Sequence, residues 1–180
     1  MESKFVFGGP VGAGKTTAIS SISDIPVVKT EAAATDEVAQ RKANTTVAMD
    51  YGILHLQEGL SVHVYGTPGQ ERFSFMWDIL TTGALGLVLL FDNVRPRPLD
   101  DVAFYVKGFR KFLDRTGNAL AVGVTRMEVA ATPTLAEYRG ALGKLNLHVP
   151  VFEVDARQRA DVRNLLLALL ATLDPATRRR

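Results

Sequence analysis

The residues best suited to chemistry stand near the start of the chain. Gly9-Pro10-Val11-Gly12-Ala13-Gly14-Lys15-Thr16 matches the pattern G-x-x-x-x-G-K-[ST] without a gap. Three properties of this octet converge on a chain of phosphates. Glycines accept dihedrals closed to other residues, so successive backbone N–H groups can turn inward around an anion. A helix that begins after the loop points its positive end at the same anion. The Lys15 ammonium then reaches the β- and γ-phosphates, and the Thr16 hydroxyl offers a ligand to Mg²⁺. The elements needed to hold such a loop flank it. Phe5-Val6-Phe7 reads as a strand before it, and Thr17-Ala18-Ile19 continues into a helix.

The rest of the chain alternates strands and helices. Lys4–Gly8 reads as a buried strand and Lys15–Ser23 as a helix. Val47–Leu56 and Leu60–Tyr65 read as two strands joined by the short turn Gln57-Glu58-Gly59, a hairpin. Gly69–Leu80 is partly helical by pattern. Ala84–Phe91 is continuously apolar, as strands inside parallel sheets are. Leu99–Arg115 carries apolar residues at helical spacing and reads as one helix. Ala119–Val124 and Val151–Val154 complete the strands; Thr134–Leu142, with Pro133 before it, and Asp161–Leu173, stopped by Pro175, complete the helices. Asp24 to Asn44 shows no clear period, and a long irregular connection in a compact domain is usually functional. The pattern predicts an α/β fold: a mostly parallel sheet with one antiparallel strand and helices on both faces. In open sheets of this kind ligands bind at the carboxyl ends of the strands, where the octet lies.

Composition narrows the classes. The chain has 180 residues, 47% hydrophobic, enough for one domain with a substantial core, expected over 1–175 with a short basic tail at 176–180. It has no cysteine, which excludes disulfides, thiolate catalysis and thiolate zinc sites. With no prenylated or palmitoylated cysteine and Glu at position 2, no lipid anchor is expected. No signal peptide or membrane span is legible, and a cytoplasmic location is expected. The net charge of +2 rests on Arg178-Arg179-Arg180; without them 18 basic side chains face 19 acidic ones. This balance gives no basic face for nucleic acid, and no nucleic-acid partner is expected. His55, His63 and His148 are scattered, without metal-ligand spacing.

Four further segments follow in the order and spacing of the Ras-like small GTPases, and the chain resembles that family from about Lys4 to Leu173. Thr45-Thr46-Val47-Ala48-Met49-Asp50-Tyr51 resembles the first switch, which implies that Thr46, or alternatively Thr45, binds Mg²⁺ and the γ-phosphate. Tyr65-Gly66-Thr67-Pro68-Gly69-Gln70-Glu71-Arg72-Phe73 closely resembles the second switch, which implies that the Gly69 N–H meets the γ-phosphate and that Gln70 orients the attacking water. The aspartate that usually opens this box and supports Mg²⁺ through water is Gly66 here. Val124-Thr125-Arg126-Met127-Glu128 resembles the guanine-reading box, with Arg126 for lysine and Glu128 for aspartate; the stem of Arg126 would pack over the base. Asp155-Ala156-Arg157 resembles the turn whose alanine N–H contacts the guanine carbonyl.

The two switch segments and the missing aspartate are most similar to the prokaryotic Ras-like small GTPases of the MglA and conservon type. The resemblance implies a three-layer P-loop NTPase fold, a Ras-like G domain, and a switch that binds GTP or GDP with Mg²⁺ and hydrolyses GTP. It implies catalysis through Gln70, Lys15 and Thr46, metal ligation by Thr16 and Thr46, and nucleotide contacts from Gly9, Val11, Gly12, Ala13, Gly14, Lys15, Thr16, Thr17, Thr46, Gly69, Thr125, Arg126, Glu128, Ala156 and Arg157. A Roadblock-type regulatory protein is the partner it implies. Val11 stands where a small glycine is usual and predicts slow intrinsic turnover. Arg41, Lys42 and, further on, Arg72 are candidates to act in cis as the stabilising cation or to stand as solvated loop charges. Phe73, Phe75, Met76 and Trp77 make the second switch apolar, to serve as core, as partner surface, or as both. Two other readings stay open: a nucleotide-binding scaffold with little or no hydrolysis, and a P-loop small-molecule phosphotransferase, for which Arg95 and Arg97 form the one lid-like cluster.

Overall fold

A computed structural model describes residues 2–33, 46–57, 60–70 and 73–173. Among the described residues seven strands form one sheet in the order β2-β3-β4-β1-β5-β6-β7. In chain order these are β1 Glu2–Gly8, β2 Val28–Ala33, β3 Thr46–Gln57, β4 Leu60–Gly66, β5 Gly86–Asp92, β6 Leu120–Thr125 and β7 Val151–Glu153. The helices are α1 Lys15–Ile22, α2 Phe75–Leu80, α3 Pro98–Gly108, α4 Arg110–Thr116, α5 Leu135–Gly143 and α6 Arg159–Leu173. β3 alone runs against the rest, antiparallel to both β2 and β4, while β4, β1, β5, β6 and β7 pair in parallel. This is the α/β P-loop fold of Ras-like proteins, as the alternation of elements predicts.

Burial explains the order. Every residue of β5 and β6 is buried, because helices cover both faces of the central strands. Alternate side chains feed two cores. Phe5, Phe7, Val64, Val88 and Leu90 pack with α1 and α6 on one face. Val6, Leu87, Leu89, Phe91 and Val122 pack with α3, α4 and α5 on the other. Both are clusters of buried aliphatic and aromatic side chains, and such burial is the main favourable term in folding.

Two expectations need correction. The irregular stretch after Asp24 contains β2, an edge strand held by backbone pairing to β3 from Val28↔Tyr51 to Ala33↔Thr46. An edge ladder leaves little hydrophobic period to read. The single helix expected over Leu99–Arg115 is two, broken at Phe109, whose φ of −95° and ψ of 8° leave the helical region. The break falls where α3 meets the Trp77 ring: a methyl on Gly108 would stand 2.3 Å from that ring. Arg41, Lys42, Thr45, Glu71, Arg72 and the basic tail lie outside the described residues.

Candidate functional site

The carboxyl ends of β1, β4, β5, β6 and β7 lie along one edge of the sheet, and each opens into a segment singled out in the sequence. β1 opens into the loop 9–14. Its dihedrals need glycine: φ is +131° at Gly9, +83° at Gly12 and +93° at Gly14. A methyl at Gly9 would meet the Leu90 carbonyl of β5 at 2.1 Å, so the strand pairing itself demands glycine there. Val11 and Gly12 are exposed at the rim, and Ala13 is buried beneath it.

Lys15 opens α1 and is buried. Its ammonium spans the loop, donating to the Gly9 and Pro10 carbonyls at 2.7 Å each. An ammonium has three N–H groups, so one remains for an anion at the loop's mouth. Burial pushes the Lys15 pKa down to about 8; Asp50 pulls it up and Arg95 adds to the lowering. Arg95 follows β5 and is held by Asp101, its Nε donating to the carboxylate at 2.5 Å. Arg97 faces Asp100 at 3.4 Å. The lid-like arginine pair is thus bound to the first turn of α3.

Thr16 donates its hydroxyl to the Asp50 carboxylate of β3. Asp50 pairs with Gly66 across β3 and β4. A methyl on Gly66 would lie 3.2 Å from Asp50 Cβ and 3.4 Å from its Oδ2. The Asp50 carboxylate of the neighbouring strand therefore lies beside position 66 and meets Thr16. Sequence reasoning missed Asp50; the signal available was a glycine where a carboxylate is usual, opposite an aspartate on a legible hairpin. A hydroxyl and a carboxylate converging beside a phosphate loop are hard oxygen donors, and they fit Mg²⁺. Thr46 opens β3 opposite Ala33, and its hydroxyl lies outside what is described. Among the described residues no cluster of three or more His, Cys, Asp or Glu could hold a metal by itself.

β4 leads into Thr67-Pro68-Gly69-Gln70. The Thr67 N–H donates to the Phe7 carbonyl at 2.8 Å, tying the segment to β1. Gly69 packs against the loop: a methyl on it would stand 2.6 Å from Val11 N and 2.8 Å from Lys15 Nζ. Gln70 is exposed beside it. Of the apolar residues that follow, Phe73 and Trp77 are buried, Met76 is half-buried and Phe75 is exposed, so the second switch serves as core and presents apolar surface at once.

Beyond the loop lies a cavity of about 270 Å³, walled by Gly12, Gly14, Thr17, Arg126, Glu128 and Ala156 among others. Gly14 and Ala156 meet closely; a methyl on Gly14 would stand 3.0 Å from Ala156 Cβ, so both positions must stay small. Thr125 directs its hydroxyl inward, within 3.2 Å of the Ala13 and Phe91 carbonyls, where it fixes the loop against β6. Arg126, at φ +59°, forks onto Asp92 at the end of β5, Nε donating at 2.8 Å, and leaves its stem along the cavity. Arg157 grips Asp155 through two bonds of 2.8 Å and holds that carboxyl down at about 2. The Asp155 carboxylate raises the Arg157 pKa, and the exposed Glu128 adds a smaller push in the same direction. The edge thus offers cations and N–H groups on one side and an exposed carboxylate with a small-residue wall on the other.

A protein-family model described as "Conserved hypothetical ATP binding protein" matches residues 26–140, and the chain belongs to that family. The match begins after the phosphate loop. Among curated proteins the chain is 22% identical to the GTP-binding protein YPTM2 of Zea mays over 136 residues, 72% of this chain and 64% of that protein. It is 22% identical to the Ras-related protein RABD2b of Arabidopsis thaliana, over 72% of this chain and 65% of that one. Against the Ras-related protein SEC4 of Candida albicans it is 22% identical over 132 residues, 72% and 62% of the two chains. The matches span less than two thirds of these relatives' length. Together they mark a P-loop nucleotide-binding chain, distantly related to the Ras-related GTPases. Among the described residues no helix is long and apolar enough to cross a membrane.

Proposed function

We propose that this member of the ATP binding protein family is a guanine-nucleotide switch that hydrolyses GTP to GDP, of the prokaryotic Ras-like type that MglA and conservon proteins represent. The observation that carries the reading is the division of one strand edge into a phosphate side (Lys15, Thr16, Asp50 and Gly69) and a base side (Glu128, Ala156 and the Arg126 stem).

In this reading Glu128 accepts from the guanine N1–H and amino group, and the Ala156 N–H donates to the guanine carbonyl. The loop N–H groups of Gly12 to Thr16 and the third N–H of Lys15 hold the phosphates. Thr16 and Thr46 would hold Mg²⁺, with Asp50 orienting Thr16. Held there, the ion would neutralise phosphate charge as the reaction proceeds. Gly69 donates to the γ-phosphate and Gln70 holds a water in line with it. Water adds to the γ-phosphorus as the bond to the bridging oxygen breaks, giving GDP and inorganic phosphate. The domain spans 1–175 with a basic tail, works in the cytoplasm, and answers to a Roadblock-type regulator; this last point rests on the resemblance alone.

The test is single-turnover hydrolysis of GTP. Gln70→Leu is expected to keep nucleotide affinity and lower the rate by about 10². Wild-type protein that binds GTP and never turns it over would favour the scaffold reading. The phosphotransferase reading is weakened by Arg95 and Arg97, both engaged by aspartates of α3. An adenine preference is supported only by the family's description as ATP binding.

A further inference from the structure

Two aromatic donors grip the segment that closes the phosphate loop. The Tyr105 hydroxyl, on α3, donates to the Gly69 carbonyl at 2.8 Å. The Trp77 indole N–H, on α2, reaches the adjacent Pro68 carbonyl at 3.4 Å. The two rings stack with centroids 4.9 Å apart and 26° between planes, and Trp77 lies flat on Phe109 at 4.6 Å and 9°. Trp77 and Tyr105 are each 1% exposed. Gly108 gives the indole its seat, as the 2.3 Å approach of a methyl there demonstrates.

The grip has a steric consequence. A methyl on Gly69 would touch both Val11 N and Lys15 Nζ, at 2.6 and 2.8 Å, so not even one carbon fits between the segment and the loop. In the nucleotide reading above, the third phosphate of a triphosphate is placed there. The backbone N–H groups of such a loop cradle the first two phosphates, and the lysine reaches on to the outermost one. A diphosphate therefore fits the gripped state, and a triphosphate has to draw Gly69 away and break both aromatic hydrogen bonds.

We infer that Tyr105 and Trp77 form a latch that sets the preference of this site for nucleoside diphosphate over triphosphate. The inference rests on the nucleotide reading above and adds to it the residues that regulate the site. A ligand shifts such an equilibrium only by its differential affinity for the two states, so each bond of the latch weighs against the triphosphate alone.

The experiment titrates wild type and Tyr105→Phe with GDP and with GTPγS in Mg²⁺, following the emission of Trp77, the chain's one tryptophan. Removing the hydroxyl keeps the ring stack and is expected to raise the GTPγS-to-GDP affinity ratio about fivefold, the worth of one neutral hydrogen bond. GDP affinity is expected to stay unchanged. In wild type, emission changes with GTPγS and not with GDP. Gly108→Ala, which displaces the indole, is expected to move the ratio the same way. An affinity ratio unmoved by both substitutions overturns the latch. So does wild-type emission that responds identically to both nucleotides, a readout that needs no variant to fold. Failure of both nucleotides to bind overturns the nucleotide reading itself, and the latch with it.

Discussion

Asp50 and Gly66 face each other across β3 and β4, and a methyl at 66 would lie 3.0 Å from Ile19 Cδ1 and 3.2 and 3.4 Å from Asp50 Cβ and Oδ2. The same carboxylate accepts the Thr16 hydroxyl. A carboxylate behind a metal-binding hydroxyl orients it and raises its basicity. Asp50→Asn keeps the shape and removes the charge. Nucleotide affinity in Mg²⁺ is expected to fall about 10- to 100-fold, as loss of such an outer partner costs, while affinity measured in EDTA changes little. Equal losses in the two conditions would place Asp50 outside the metal's support.

Lys15 makes affinity depend on pH. Burial lowers its pKa from 10.5 to about 8, so the ammonium is charged below that value and neutral above it. Affinity for GDP is expected to fall as pH rises from 7 to 9, with proton uptake on binding near pH 8 detectable by calorimetry in buffers of different ionisation enthalpy. Stability of the free protein moves the other way. Between pH 8 and 10.5 the unfolded chain holds more protons at this position than the folded one, so Lys15 contributes a rise in stability through that window. Bound polyphosphate raises the folded pKa and flattens the rise, which thermal melts with and without GDP would reveal.

Val11 stands exposed on the rim, with its backbone nitrogen against Gly69 and Gln70 next in the chain. In the proposed mechanism a branched side chain there is expected to crowd the approach of Gln70 to an attacking water. Val11→Gly is expected to raise the single-turnover rate by about tenfold, equivalent to about 1.4 kcal/mol of barrier. No increase would remove the crowding argument and leave the loop's backbone as the determinant of rate.

The parts of the site that were legible in the sequence are local in the chain. The loop 9–16 and the segments 66–70, 125–128 and 155–157 each follow a strand, so a short motif and one apolar run locate them together. What escaped is non-local. Asp50 meets Thr16 across 34 residues and Tyr105 meets Gly69 across 36, contacts that exist only once the sheet is ordered. β2 escaped because an edge strand is defined by its backbone ladder with β3. The break at Phe109 escaped because the apolar period continues through it, while Gly108 yields to the Trp77 ring.

The most direct test of the guanine-nucleotide reading is competitive titration with fluorescent GDP against GDP, GTP and ATP in Mg²⁺, for wild type and Glu128→Ala. Guanine nucleotides are predicted to bind about 10- to 100-fold tighter than ATP, the factor supplied by hydrogen bonds to one charged carboxylate, with that margin lost in Glu128→Ala. ATP binding equal to or tighter than GTP in the wild-type protein would contradict the account.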